Sequence, residues 1–152
     1  MYAFLFTIVA TLPSPQLVDV DGPELLTEVR RSAEPIVVIN VWATWCGPCV
    51  RELPIFFDAE KHYEGRVRFM FVSADFTSQR SEAAKLLTEK GASHPSFFRR
   101  GKDQPFIEAL HPKWNGTIPA TFVFDRSGRR LRFWQGSLSE QELIRALDAL
   151  LD

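Results

Sequence analysis

Cys46-Gly47-Pro48-Cys49 carries both cysteines of the chain. Two thiols with two residues between them can close a disulfide across one helical turn and open it again, which makes them a two-electron redox couple. The attacking species in such chemistry is the thiolate. A free cysteine ionises near pH 8.5, and a helix N-terminus or a CxxC setting lowers that to about 3.5–7.5. Unpaired N–H groups and the positive end of the helix dipole stabilise the anion there. The neighbouring residues supply that setting. The β-branched run Ile36-Val37-Val38-Ile39-Asn40-Val41-Trp42 precedes the pair and the helix-compatible Val50-Arg51-Glu52-Leu53-Pro54 follows it. Cys46 is therefore expected at the N-cap or N1 position, facing solvent. Pro48 fits the first turn, having no N–H to lose, and Cys49 is shielded one turn in. These positions make Cys46 the expected nucleophile and Cys49 the expected resolving thiol.

Two thiols have other uses. Buried free cysteines behave as small hydrophobes, but that leaves Gly47-Pro48 unexplained. A structural zinc site needs four ligands, and His62, His94 and His111 are too widely spaced to complete one, so neither metal nor cofactor is expected. Two soft thiolates do suit Cu(I). A Cu(I)- or haem-handling binding module is thus the alternative function, although no methionine cluster or nearby histidine supports it. The proline-and-threonine pattern that peroxiredoxins place before their reactive cysteine is missing ahead of Cys46.

Length and composition bound the rest. The chain has 152 residues, 45% of them hydrophobic, with 13 Phe and 4 Trp. That is one domain with ample apolar surface to bury, expected over residues 16–152. A net charge of −1 gives no case for nucleic acid. The basic runs Arg99-Arg100-Lys102 and Arg126, Arg129, Arg130, Arg132 read as solvated loop and strand faces. Residues 1–15 form an apolar segment, too short to span a bilayer. Lacking a basic part, it fits a secretory signal whose start lies upstream, an atypical signal cleaved near Ala10, or a first strand.

The elements that must hold the thiols follow from pattern. Asp21-Gly22-Pro23 opens a helix over Glu24 to Ser32. Strands are expected at Ile36 to Trp42 and Val67 to Ala74. The helix between them runs from Cys46 to about Tyr63, kinked at Pro54. Ser78 is the expected N-cap of a helix ending at Lys90, with Gly91 as its stop. Ala92 to Asn115 is long enough for a short strand (Ser96 to Arg99) and a short helix (Gln104 to Leu110). Its Phe97, Phe98, Phe106 and Trp114 either line a partner groove or seal the core edge. A hairpin joins Ala120–Phe124 to Arg129–Gln135. A capping box at Ser139-Glu140-Gln141-Glu142 starts the last helix. Glu52 can assist proton transfer at Cys49 or pair on the surface with Arg51 or Lys61. Asp75, at a strand end, is a second acid candidate.

Asn40 to Pro54 resembles the signature of the thioredoxin superfamily, and in its CxxCxxE pattern the TlpA/ResA-like branch of extracytoplasmic thiol-disulfide oxidoreductases. Asn40 stands where thioredoxin has a buried Asp. Gly116-Thr117-Ile118-Pro119-Ala120 and the following Thr121 to Gly128 resemble the family's cis-proline loop with its strand and turn. The resemblance covers most of the chain from about Glu34. It implies an α/β, thioredoxin-like fold, a central mixed β-sheet flanked by helices on both faces. It implies a cis Pro119 beside the cysteines, and Ile118 pairing with substrate main chain. Trp45, Gly47, Pro48 and Glu52 support the site, with Trp45 also an apolar platform for substrate and Trp42 packed inside. The implied activity is reduction of protein disulfides, as in cytochrome c maturation, by a monomer recharged by an upstream thiol donor. An extracytoplasmic, periplasmic location follows, which favours the signal reading of residues 1–15.

Overall fold

The computed structural model describes residues 16–152, so the expected signal segment at 1–15 lies outside the described residues. Its centre is strand β2 (Ile36–Trp42), in which every residue is buried. A strand buried on both faces must send alternate side chains into two separate cores. Val38 and Trp42 enter one core; Val37, Ile39 and Val41 enter the other.

The elements in chain order are β1 (Leu17–Val20), α1 (Gly22–Arg30), β2, α2 (Gly47–His62), β3 (Val67–Ser73), a short 3-10 turn (Thr77–Gln79), α3 (Arg80–Lys90), β4 (Ser96–Arg99), α4 (Asp103–Leu110), β5 (Ala120–Asp125), β6 (Arg130–Gln135) and α5 (Glu140–Leu151). The strands form one mixed sheet in the order β1-β4-β3-β2-β5-β6. β1, β4, β3 and β2 run parallel, whereas β5 is antiparallel to β2 and to β6. Helices α2, α3 and α5 cover one face through Leu53, Phe56, Leu87, Leu143 and Leu147. Helices α1 and α4 cover the other through Leu25, Val29, Phe106 and Leu110.

Local chemistry fixes the helix ends. Asp21 caps α1 and Ser139 caps α5, each in a reciprocal capping box with Glu24 and Glu142. Gly91 ends α3 in the left-handed conformation, at φ 94°. One expectation needs correction, and one element was not expected. Ser78 is not the N-cap of α3; it sits inside the 3-10 turn, and Gln79 takes the N-cap without a side-chain bond. Strand β1 was not anticipated, because its pairing partner β4 lies almost 80 residues away along the chain.

Candidate active site

The thiol pair sits where β2 hands over to α2. Cys46 is the N-cap of α2, and its sulfur accepts a hydrogen bond from the Cys49 N–H at 3.3 Å. The two sulfurs form a disulfide with an S–S distance of 2.04 Å and Cα atoms 5.3 Å apart. Gly47 and Pro48 occupy the first turn. Helix α2 continues unbroken through Pro54. Cys46 does not stand open to solvent as expected. It is 6% exposed against 0% for Cys49, because the closed disulfide and the surrounding core cover most of it. The order of accessibility between the two sulfurs is nonetheless the expected one.

Trp45, next to the nucleophile position, is 56% exposed, whereas Trp42 is fully buried. The Ile118–Pro119 bond is cis. Because β5 pairs with β2 in the register Ala120↔Val41, the loop before β5 arrives at the end of β2 from which the Cys46 connector springs. Ile118 packs against the core cluster that contains both cysteines.

A groove of about 280 Å³ opens at Trp45, the residue before Cys46, and at Ile118, the residue before the cis proline, and is also lined by Phe76, Phe106, Ile107 and Trp114. Of the aromatic residues singled out in the 92–115 segment, Phe106 and Trp114 thus face this groove while also packing the second core. Phe98 is buried under Arg80 and Phe97 lies elsewhere. Phe76, 71% exposed on the groove rim, went unnoticed in the sequence. The basic runs are largely spent on internal partners: Arg99 on Asp103, Arg100 on Asp21 and Glu24, and Arg130 on the Ala109 and Leu110 carbonyls.

Glu52 is not a surface carboxylate, so the ion-pair reading with Arg51 or Lys61 is excluded. It is 3% exposed on the inner side of α2. One oxygen accepts from the Asn40 side-chain amide and the other from the Leu138 N–H, both at 3.0 Å. Asn40 also donates to Thr121 at 3.3 Å, and its own carbonyl oxygen has no partner among the described residues. Burial pushes the Glu52 carboxyl above its ordinary range, partly offset by those two hydrogen bonds. Lys61 pairs with Asp58 instead. Leu138 contributes only a backbone N–H, so no side-chain signal could have marked it.

Asp75 is also buried, but its oxygens are occupied by donors from Thr44 and Ser73. No group of three or more His, Cys, Asp or Glu suited to a metal occurs among the described residues. His94 bonds Glu60, and His111 stacks on Phe133.

Known proteins share this architecture. A family model described as thioredoxin matches residues 18–113. The chain is 26% identical over 157 residues to the thiol-disulfide oxidoreductase ResA of Geobacillus thermodenitrificans, covering 99% of this chain and 85% of that one. It is 28% identical over 112 residues to the thioredoxin-like protein YneN of Bacillus subtilis, covering 74% and 63%. The solved thiol:disulfide interchange protein of Chlorobium tepidum superposes with a TM-score of 0.64 at 21% identity, covering 92% of this chain and 96% of that one. The thioredoxin-related protein of Neisseria meningitidis serogroup B does so with a TM-score of 0.63 at 25% identity, covering 78% and 86%. A dithiol at a helix N-terminus, on this sheet and among these relatives, identifies the chain as a thiol-disulfide oxidoreductase belonging to the thioredoxin family.

Proposed function

We propose that the protein reduces disulfides in other proteins, with Cys46 as nucleophile and Cys49 as resolving thiol. The observation that carries this reading is the placement of Cys46 at the N-cap of α2, where the Cys49 N–H already points at its sulfur. The same N–H and the helix dipole stabilise a thiolate in the reduced state.

In the reduced protein the Cys46 thiolate attacks one sulfur of the substrate disulfide. A Cys46–substrate S–S bond forms, the substrate S–S bond breaks, and the leaving thiolate takes a proton from solvent. Cys49 then gives its proton to Glu52 and attacks Cys46. The mixed disulfide breaks, the second substrate thiolate leaves, and the Cys46–Cys49 bond closes. Two electrons have passed to the substrate, and an upstream thiol donor restores the dithiol. Glu52 suits the proton-accepting role because it shares the inner face of α2 with Cys49. At a spacing of i, i+3 their Cβ atoms lie about 5–6 Å apart, within reach through one water.

Substrate would lie across the groove, its main chain against the Ile118 backbone and an apolar side chain against Trp45, Phe76 and Phe106. The Gly47-Pro48 dipeptide and the resemblance of Asn40 to Pro54 to the TlpA/ResA-like branch favour a reducing role in an extracytoplasmic compartment, with cytochrome c maturation as the setting and a monomer as the working form. No helix among the described residues is long and apolar enough to cross a membrane.

The test is mechanism-based trapping. Cys49→Ser should hold substrate on Cys46 as a stable mixed disulfide, and Cys46→Ser should hold none. Equal trapping by both variants would overturn the assignment. An equilibrium with glutathione giving a potential near or above about −180 mV, that of protein disulfide isomerase, would overturn the reducing direction.

A further inference from the structure

Four residues, Ala43 to Cys46, connect the end of β2 to the start of α2 and carry both Trp45 and the nucleophile. Their placement decides where the sulfur sits. One internal bond, from the Cys46 N–H to the Ala43 carbonyl at 3.1 Å, closes the connector into a turn. What fixes that turn to the sheet is Asp75, two residues beyond β3 and 2% exposed. The Thr44 N–H donates to both carboxylate oxygens, at 3.0 and 3.1 Å, and the Thr44 hydroxyl donates to one of them at 2.6 Å. Ser73 donates its hydroxyl to the other at 2.8 Å, and the Asp75 N–H returns a bond to Ser73 at 3.2 Å. Ala74, between Ser73 and Asp75, donates its N–H to the Trp42 carbonyl at 2.8 Å, so the two strand ends are stitched together at this level.

We propose that Asp75 is a positioning residue for the thiol pair, acting through Thr44 to hold Cys46 at the helix N-terminus. This rests on the assignment of Cys46 as nucleophile. Burying a carboxylate is costly unless donors compensate for lost water. Among the described residues no ion pair includes Asp75. All of its compensation comes from the connector and the strand beneath it. Its hydrogen bonds are therefore concentrated on the one segment whose displacement would move the sulfur off the helix axis. A shift of that segment would weaken the N–H contact from Cys49 and the dipole stabilisation of the thiolate, both of which fall off within a turn.

The variants separate placement from mere stability. Asp75→Asn keeps one oxygen to accept from the Thr44 N–H and hydroxyl and loses only the second, shared contact of that N–H, while its amide nitrogen can donate to Ser73. Asp75→Ala keeps neither. Thr44→Val removes only the hydroxyl bond. Each is made in a Cys49→Ser background, so that Cys46 is the single thiol, and the alkylation rate of Cys46 by iodoacetamide is measured at pH 7 on folded protein. We expect a tenfold or greater slowing for Asp75→Ala, a threefold or greater slowing for Thr44→Val, and rescue to within threefold of the parent by Asp75→Asn. With Cys49 restored, Asp75→Ala should shift the glutathione equilibrium about tenfold toward its own disulfide, which is about 30 mV. Folded Asp75→Ala with an unchanged rate and equilibrium would overturn the proposal. Asp75→Asn as slow as Asp75→Ala would also overturn it, because charge rather than placement would then be responsible. Should Asp75→Ala not fold, an unchanged rate in Thr44→Val overturns it alone. An ordinary, slow Cys46 in the parent would instead sink the underlying site assignment.

Discussion

Replacing Glu52 with glutamine would remove a proton acceptor while leaving the shape of the core nearly intact. In the parent, Glu52 takes bonds from the Leu138 N–H and the Asn40 amide, both at 3.0 Å. The glutamine oxygen can keep the Leu138 bond. Its nitrogen then faces the Asn40 amide nitrogen, so the Asn40 amide must rotate to accept the second bond; the Thr121 hydroxyl then turns to donate to it, and the Asn40 nitrogen moves to the place of the oxygen that lacks a partner among the described residues. With about 0.5–1.5 kcal/mol at stake per neutral hydrogen bond, the net change near neutral pH should be about 1 kcal/mol or less. The pH dependence has a definite sign. Burial raises the Glu52 pKa in the folded protein, so the folded state binds more protons than the unfolded one between the two values. Parental stability therefore falls as pH rises from the unfolded value through the raised folded value. Glutamine does not ionise, and Glu52→Gln should gain on the parent across that window. The kinetic effect should be far larger. A positioned acid or base contributes about 10²–10⁴ in rate, so resolution of the mixed disulfide by Cys49 should slow at least a hundredfold, or about 2.7 kcal/mol. Stopped-flow measurement of product release from a preformed Cys46 mixed disulfide, over a pH series, would read this directly. The parent should show a rising limb set by Glu52 that the variant lacks. Equal rates and superimposable profiles would refute the proton-transfer role.

Two further outcomes test the scaffold. A Cβ at Gly22 would lie 2.6 Å from the Ala109 Cβ and 3.0 Å from the Pro105 carbonyl oxygen, so Gly22→Ala should destabilise the α1–α4 packing by about 1–3 kcal/mol in urea denaturation; an unchanged midpoint would contradict that close approach. His94 has its pKa raised chiefly by the hydrogen bond to Glu60. The stability it supplies is present below the ordinary histidine value and lost as pH rises through the raised one, so Glu60→Gln should flatten the pH dependence of the urea midpoint over that interval, and an unaltered slope would contradict the pairing.

How much of this was legible in the sequence depended on how far each interaction reaches along the chain. The CxxC motif and the Ser139 capping box are patterns of a few residues, and they led to the strand–helix junction and to the α5 cap found in the structure; the cis Pro119 followed only from the family resemblance. The central strand announced itself by six apolar residues among seven positions, most of them β-branched, with Asn40 the one polar interruption. Glu52 was ambiguous because its neighbours on the helix surface gave no hint that Asn40, twelve residues earlier, and Leu138, 86 residues later, would close over it. Asp75 appeared as a possible acid because it ends a strand; only the fold shows that Thr44 occupies its oxygens. Strand β1 has four residues with Asp19 among them, too short and polar to be seen without β4. Phe76 is exposed, and exposure beside a groove is a property of tertiary structure alone.

The central claim is that α2 presents the Cys46 sulfur as a thiolate near neutral pH. Its most direct test is the pH dependence of Cys46 alkylation in the reduced Cys49→Ser protein. A midpoint at least one unit below the value of about 8.5 for a free cysteine is expected. A midpoint at or above that value, with the protein folded, would contradict the claim.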